Sequence, residues 1–214
     1  MTTNIIENKS LPETSAEDIF VFPTSFAQKR IWFLEQIGPG NSAYNNYVAI
    51  RLKGELNVLA LEQSLNAIAR RHESLRTKFA VAKGETVQVV LPSVTLKLPV
   101  TELRSLPPEE RELKAKQLIE REIERPFDLG QLPLIRFSLL QLGDSEHILI
   151  SVVHHIISDG WFAQVMMGEL GALYTAFCAG KPSPLPQLSI QYADYTIHQE
   201  KYLQGKVLEK LLDY

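Results

Sequence analysis

Apolar residues recur along this chain in two rhythms, one of period two and one near three and a half, and the switches between them outline its elements. Tyr47, Val48, Ala49 and Ile50 form a strand-like run that closes through Leu52 at a Gly54 turn. Asn57 then stands where a helix N-cap belongs, and Leu61, Leu65, Ile68 and His72 follow at i, i+4, i+7 and i+11, one face of a helix. Leu75 to Phe79 reads as a strand, and Thr86 to Leu91 as another beyond the Lys83-Gly84 turn. Pro107-Pro108-Glu109-Glu110 opens a charged helix whose apolar face holds Ala115, Leu118, Ile119 and Ile123, and Pro126 stops it. Leu134 to Leu142 and His147 to His155 form an antiparallel pair around Gly143-Asp144-Ser145. From Gly160 to Ala179 the period is helical again, with Phe162, Met166, Leu170, Leu173 and Phe177 as the buried stripe. Lys181 to Gln187 carries three prolines and reads as a connector, and a last helix runs from Gln191 toward the end.

Strands and helices do not alternate one by one, and no glycine-rich phosphate loop follows a strand. The pattern therefore predicts an α+β fold, a mixed or antiparallel sheet packed against helices, and not a doubly wound nucleotide fold. With 214 residues, 45% of them hydrophobic, the chain can bury a sizeable core. A formal net charge of −3 leaves no basic footprint for nucleic acid as the main ligand. Cys178 is the only cysteine, so no internal disulfide forms and a reducing, cytoplasmic setting is expected. Residues 1–15 are polar and aperiodic and read as a loose arm, not a secretory signal. No run approaches the ~18 apolar residues that would point to a membrane span.

The chemistry concentrates where the second strand of the antiparallel pair ends. Ile148, Ile150, Val152 and His154 share one face of that strand, and Leu149, Ser151, Val153 and His155 share the other. In a regular strand the two histidines point apart, so one can face a substrate passage while the fold holds its neighbour. Asp159 and Gly160 follow at the expected start of a helix. An aspartate there caps the helix or pairs with a cation, and a glycine lets a reacting group approach backbone N–H groups. A histidine beside such an amide can hold an acceptor proton next to an oxyanion-stabilising donor. Two adjacent strand histidines are, in isolation, more often packing residues than catalysts. The pair also raises the question of metal, but His72, His147 and His198 stand at spacings that complete no zinc set. Ser158 lacks the G-x-S-x-G turn of an activated serine.

His154-His155-Ile156-Ile157-Ser158-Asp159-Gly160 resembles the HHxxxDG signature of the chloramphenicol-acetyltransferase-like superfamily, which includes the condensation domains of nonribosomal peptide synthetases. Four further segments narrow the resemblance to condensation domains. Ser25-Phe26-Ala27-Gln28-Lys29-Arg30-Ile31-Trp32-Phe33-Leu34 is similar to their first block, and Arg71-His72-Glu73-Ser74-Leu75-Arg76-Thr77-Lys78-Phe79 to the RHExLRTxF block. Pro126-Phe127-Asp128-Leu129 and Tyr192-Ala193-Asp194-Tyr195 fall where the family has similar words. Heterocyclisation domains replace the two histidines by aspartate-containing patterns that are absent here. Epimerisation domains share HHxxxDG, but Trp161 and the RHESLRT wording look more like condensation.

The resemblance implies a chloramphenicol-acetyltransferase-like lobe over residues 16–180, with a connector and the start of a linking helix over 181–214. The family domain is about twice this length and has two similar lobes with the active site between them, so the resemblance implies a missing C-terminal lobe. It implies amide formation between a carrier-bound acyl or peptidyl thioester and a carrier-bound aminoacyl acceptor. This chain would then bind no cofactor; phosphopantetheine would arrive on donor and acceptor peptidyl carrier proteins, with an adenylation domain adjacent. His155 is then the expected catalytic histidine, chiefly positioning the amine, and Gly160 the point of substrate approach. His154, Asp159 and Arg76 are expected to support the site, with Arg76 as the counter-charge of Asp159. Two other readings stay open: a stand-alone coenzyme A-dependent acyltransferase of the same superfamily, and a non-catalytic lobe that binds a carrier protein.

Overall fold

A computed structural model describes residues 19–213. The arm expected over residues 1–15 lies outside them. Among the described residues seven strands divide into two sheets. Strands β1 (Phe20–Pro23), β3 (Thr77–Ala82) and β4 (Glu85–Val90) form one sheet in the order β1-β4-β3, antiparallel throughout. The other has the order β2-β7-β6-β5, from β2 (Asn45–Lys53), β5 (Val100–Glu102), β6 (Ile135–Gly143) and β7 (Glu146–His154). In it β5 runs parallel to β6 and the remaining pairs are antiparallel. Six α-helices complete the α+β fold: α1 (Phe26–Ile37), α2 (Val58–Arg71), α3 (Pro108–Glu124), α4 (Phe162–Cys178), α5 (Tyr192–Tyr202) and α6 (Gly205–Leu212).

Strand β7 is the spine. Every residue of it after Glu146 is buried, because the sheet is covered on both faces. Leu149 and Val153 join Ile31 of α1, Leu61 and Leu65 of α2, and Met166 and Leu170 of α4 in the main core. Ile148, Ile150 and Val152 face the other way, into a smaller core with Leu103, Ala115, Leu140 and Leu142. The period-two alternation in β7 thus sorts its side chains between two cores.

Local signals account for most element boundaries. Asn57 caps α2 by accepting the Ala60 N–H at 3.0 Å. Ser25 and Gln28 form a reciprocal capping box at the start of α1. Lys83 and Gly84 both have positive φ, 53° and 82°, as a two-residue hairpin turn between β3 and β4 requires. Three expectations need correction. Glu73–Arg76 is a one-turn 3-10 helix, so the strand expected from Leu75 begins only at Thr77. The helix expected from Gly160 begins at Phe162, two residues later. The last helix is two helices, broken at Leu203-Gln204, with Gly205 at a φ of 52°.

Helix α5 is tied to the body. Tyr192 and Ser25 hydroxyls lie 2.9 Å apart, and the Phe26 N–H donates to Gln199 Oε1 at 3.0 Å. Beneath them the buried amides of Gln28 and Gln88 join, and Gln88 donates on to Thr196 Oγ1 and to the Pro23 carbonyl.

Candidate active site

The two histidines at the end of β7 meet opposite surroundings. His154 is the last strand residue, 2% exposed, and its N–H completes the ladder by donating to the Leu134 carbonyl at 3.0 Å. Its ring packs edge-on against Phe127, centroids 6.0 Å apart, and at a tilt beside Tyr44 at 6.1 Å. Nδ1 accepts the Ile156 N–H at 3.1 Å, so in the neutral ring the proton sits on Nε2. Nε2 points at Glu35 Oε1, 3.5 Å away, on a buried carboxylate of α1. Burial pushes His154 down to about 4, with nearby His155 adding to the shift, and burial pushes Glu35 up. Both partners are thereby driven toward their uncharged forms, and His154 is neutral at neutral pH.

His155 has left the strand. It opens a 3-10 turn, His155–Ile157, and its N–H donates to the Tyr44 carbonyl at 2.8 Å. Its ring is half-buried: the Nδ1 side lies 3.0 Å from Asn46 Nδ2, and Nε2 makes no hydrogen bond among the described residues. Asn46 Nδ2 also lies 3.3 Å from Ser158 Oγ, which donates to the His154 carbonyl at 3.1 Å. The neighbouring rim is open. Trp161 is 71% exposed, and a side chain added at Gly160 would meet nothing within 4 Å. No contact within this lobe therefore requires a glycine there; room for an incoming group remains its reading.

Asp159 sits just ahead of the α4 N-cap, Trp161. Its Oδ1 accepts the backbone N–H groups of Trp161 and Phe162, each at 3.0 Å, just ahead of α4. The pairing expected between Arg76 and Asp159 is not formed. Arg76 lies on the 3-10 turn before β3, where its guanidinium donates to Glu73 Oε1 at 3.2 Å and to the Leu91 carbonyl. Glu73, three residues away, supplies the counter-charge of Arg76, whose Nε stays buried without a partner among the described residues, and the start of α4 engages the aspartate. Asp159 occupies the Trp161 and Phe162 amides, while the Gly160 N–H has no partner among the described residues.

Three residues were not singled out from the sequence: Asn46 and Glu35, which meet the two histidines, and Glu169. Glu169 on α4 binds Arg71 Nε at 2.8 Å and His72 Nε2 at 2.7 Å, fastening the end of α2 to α4. Burial opposes ionisation of its carboxyl, but the hydrogen bonds from Arg71 and His72 outweigh it and hold the group below the usual carboxylate range. None of the three has a local signature, since each is defined by a partner distant in sequence. Cys178 ends α4 exposed to solvent, off the Met166-Leu170-Leu173 stripe, and Trp161 stands at the open rim.

The Pro126-Phe127-Asp128-Leu129 segment has a structural role beside the site. Phe127 backs His154, and the Leu129 carbonyl accepts the Phe79 N–H at 2.9 Å, joining the loop to β3. The Arg136 guanidinium lies 4.0 Å above the Phe127 ring, and burial lowers it to about 10. A cavity of about 1060 Å³ lies between α2 and the segment before β5, lined by Glu62, Asn66, Arg70, Leu96 and Lys97, and no site residue reaches it. Among the described residues no three His, Cys, Asp or Glu side chains gather as a metal site, and no helix is long and apolar enough to cross a membrane.

Comparison with known proteins places this geometry in a family. A linear gramicidin synthase protein of Brevibacillus parabrevis is 43% identical over 192 residues, which is 90% of this chain and 2% of that protein. Malpinin synthetase of Mortierella alpina has the same identity and coverage. The crystal structure of the first condensation domain of the CDA synthetase superposes with a TM-score of 0.79 at 20% identity, covering 89% of this chain and 48% of that one. The chain thus spans a small fraction of the synthetases and less than half of the solved domain. The condensation-domain family model matches residues 20–214, and the chain belongs to the condensation-domain family.

Proposed function

We propose that this chain is the amino-terminal lobe of a peptide-bond-forming condensation domain of a nonribosomal peptide synthetase. In this reading an acyl or peptidyl thioester arrives on the phosphopantetheine arm of a donor carrier protein, and the amine of a carrier-bound aminoacyl thioester attacks it. The product is an amide and a free thiol. Adenylation belongs to a neighbouring domain, and a second lobe closes the passage over His155, so this lobe alone is inactive. The reaction is set in the cytoplasm.

One observation carries the proposal. Within the matching HHxxxDG segment, His155 is held on one side and left open on the other, while His154 is sealed into the core. A reacting group needs access and a fixed orientation, and only His155 has both. His154, Asp159 and Arg76 support the local structure, and Gly160 leaves the adjoining rim free.

The test joins this lobe to its second half and offers the same acyl group on a carrier protein or on coenzyme A. Amide formation from the carrier-bound donor alone is expected. Equal use of the coenzyme A thioester would favour a stand-alone acyltransferase, and no turnover from either donor would favour a lobe that only binds carriers.

A further inference from the structure

The Nδ1 side of His155 meets Asn46, in a chain of contacts that runs on through Ser158 to the His154 carbonyl. Ser158 Oγ lies 3.1 Å from the His154 carbonyl oxygen, which has only lone pairs, so the single hydroxyl hydrogen points there. Toward Asn46 the hydroxyl can then only accept. With the hydroxyl so turned, the atom of Asn46 facing it at 3.3 Å is the amide nitrogen, and the same nitrogen faces His155 Nδ1 at 3.0 Å. Its two hydrogens serve the two acceptors. Turned over, the amide oxygen would serve only if the Ser158 hydroxyl left the carbonyl for it and Nδ1 carried the proton. Nδ1 therefore accepts, and a neutral imidazole with an accepting Nδ1 carries its one proton on Nε2, the open nitrogen.

We propose that Asn46 is a positioning residue which, with Ser158, holds neutral His155 as the Nε2–H tautomer, so that the site offers a hydrogen-bond donor to the carbonyl oxygen of an acyl thioester and not a base to the amine. This rests on the reading of His155 as the histidine of the reacting site. An Nε2–H cannot take a proton from the amine, nor accept a hydrogen bond from it. Donating to the amine nitrogen would occupy the lone pair needed for attack. Oxygen is the productive target, because its charge grows as the bond forms.

The step balances without a protein base. The neutral amine adds to the thioester carbon, and the π pair moves to oxygen, where Nε2–H donates. Collapse restores the carbonyl and breaks the C–S bond. The thiolate leaves with that electron pair, and the proton lost from nitrogen ends on sulfur through solvent. An α-amino group has a pKa of about 7.7–8.0, so near neutral pH a usable share of the acceptor is already uncharged. In this proposal His155 acts on the oxygen, where the resemblance had implied positioning of the amine.

The experiment reads the imidazole nitrogens of this chain by ¹⁵N NMR at a pH where the ring is neutral, with His155 assigned by the signal lost in His155→Gln. The parent should show the proton on Nε2. Asn46→Asp presents only acceptors and should move it to Nδ1, whereas Ser158→Ala frees the amide to turn and should give a mixture. Asn46 is exposed, so Asn46→Asp does not threaten folding, and the melting temperature of Ser158→Ala, at a half-buried residue, is checked beside it. In the complete domain Asn46→Asp should lower kcat about tenfold and leave KM for both substrates within about twofold. A proton on Nδ1 in the parent, or no change in Asn46→Asp, would overturn the inference. If the tautomers are as expected but His155→Ala forms amide at the parent rate, the functional reading fails and the tautomer assignment stands.

Discussion

His154 and His155 are neighbours in sequence and opposites in situation. One ends a strand between two cores, with aromatic rings on two sides and a buried carboxyl in front. The other begins a turn, with one nitrogen held by Asn46 and the other open. The change of backbone between them produces the difference. His154 still has a ladder hydrogen bond, to Leu134, and that fixes its ring against the sheet; the N–H of His155 turns away to the Tyr44 carbonyl. Residue type alone therefore says little about role. The strand's ending decides which imidazole can meet a substrate.

Substitutions can break this contrast, and the largest effect belongs to the open ring. In the complete domain His155→Ala should slow amide formation by ~10²–10⁴-fold, as loss of a positioned catalytic group does, with little change in melting temperature. Unfolding in step with the loss of activity would assign His155 to the core as well. His154→Ala should do the reverse and destabilise this chain by about 3 kcal/mol, measured by denaturant unfolding, because it leaves a cavity beside Phe127 and Tyr44.

Acid sharpens the same contrast. His154 is lowered from 6.5 to about 4 in the folded chain, so between those values the unfolded chain takes up a proton that the native ring refuses. Stability from this group is complete above pH 6.5 and is lost as pH falls to about 4, to the extent of about 3 kcal/mol. Glu35 has the opposite sign: its raised value makes the native state hold a proton the unfolded state releases, which offsets part of the loss. Comparison with His154→Asn isolates the histidine. The variant's unfolding free energy should be flatter between pH 6.5 and 4, and parallel curves would show that His154 is not held neutral.

Much of this was legible in the sequence. The alternation along β7 gave two opposed faces, and Asn57, Pro108 and Lys83-Gly84 marked helix starts and a turn. The HHxxxDG segment marked the site before any geometry was known. What escaped was set by contacts between distant segments. Arg76 looked like a buried charge in need of Asp159, but the 3-10 turn at Glu73 brings a carboxylate to it locally. Asn46 carried no signal because its partners, His155 and Ser158, lie more than a hundred residues away across the β2–β7 pairing.

The smallest effects concern those corrected contacts. Asp159→Ala removes the acceptor of the Trp161 and Phe162 N–H groups at the start of α4 and should cost about 1 kcal/mol in unfolding free energy. Combined with Arg76→Met in a double-mutant cycle, it should show coupling within about 0.5 kcal/mol of zero. A coupling near 2 kcal/mol would restore the pair the structure does not form.

Solvent access to the two rings tests the contrast most directly, through deuterium exchange at the carbon between the imidazole nitrogens, followed by mass spectrometry of the intact folded chain. His155 should exchange at least about tenfold faster than His154, which is both covered and hard to protonate. Equal rates, or faster exchange at His154, would contradict the assignment of the open ring to chemistry and the sealed one to the fold.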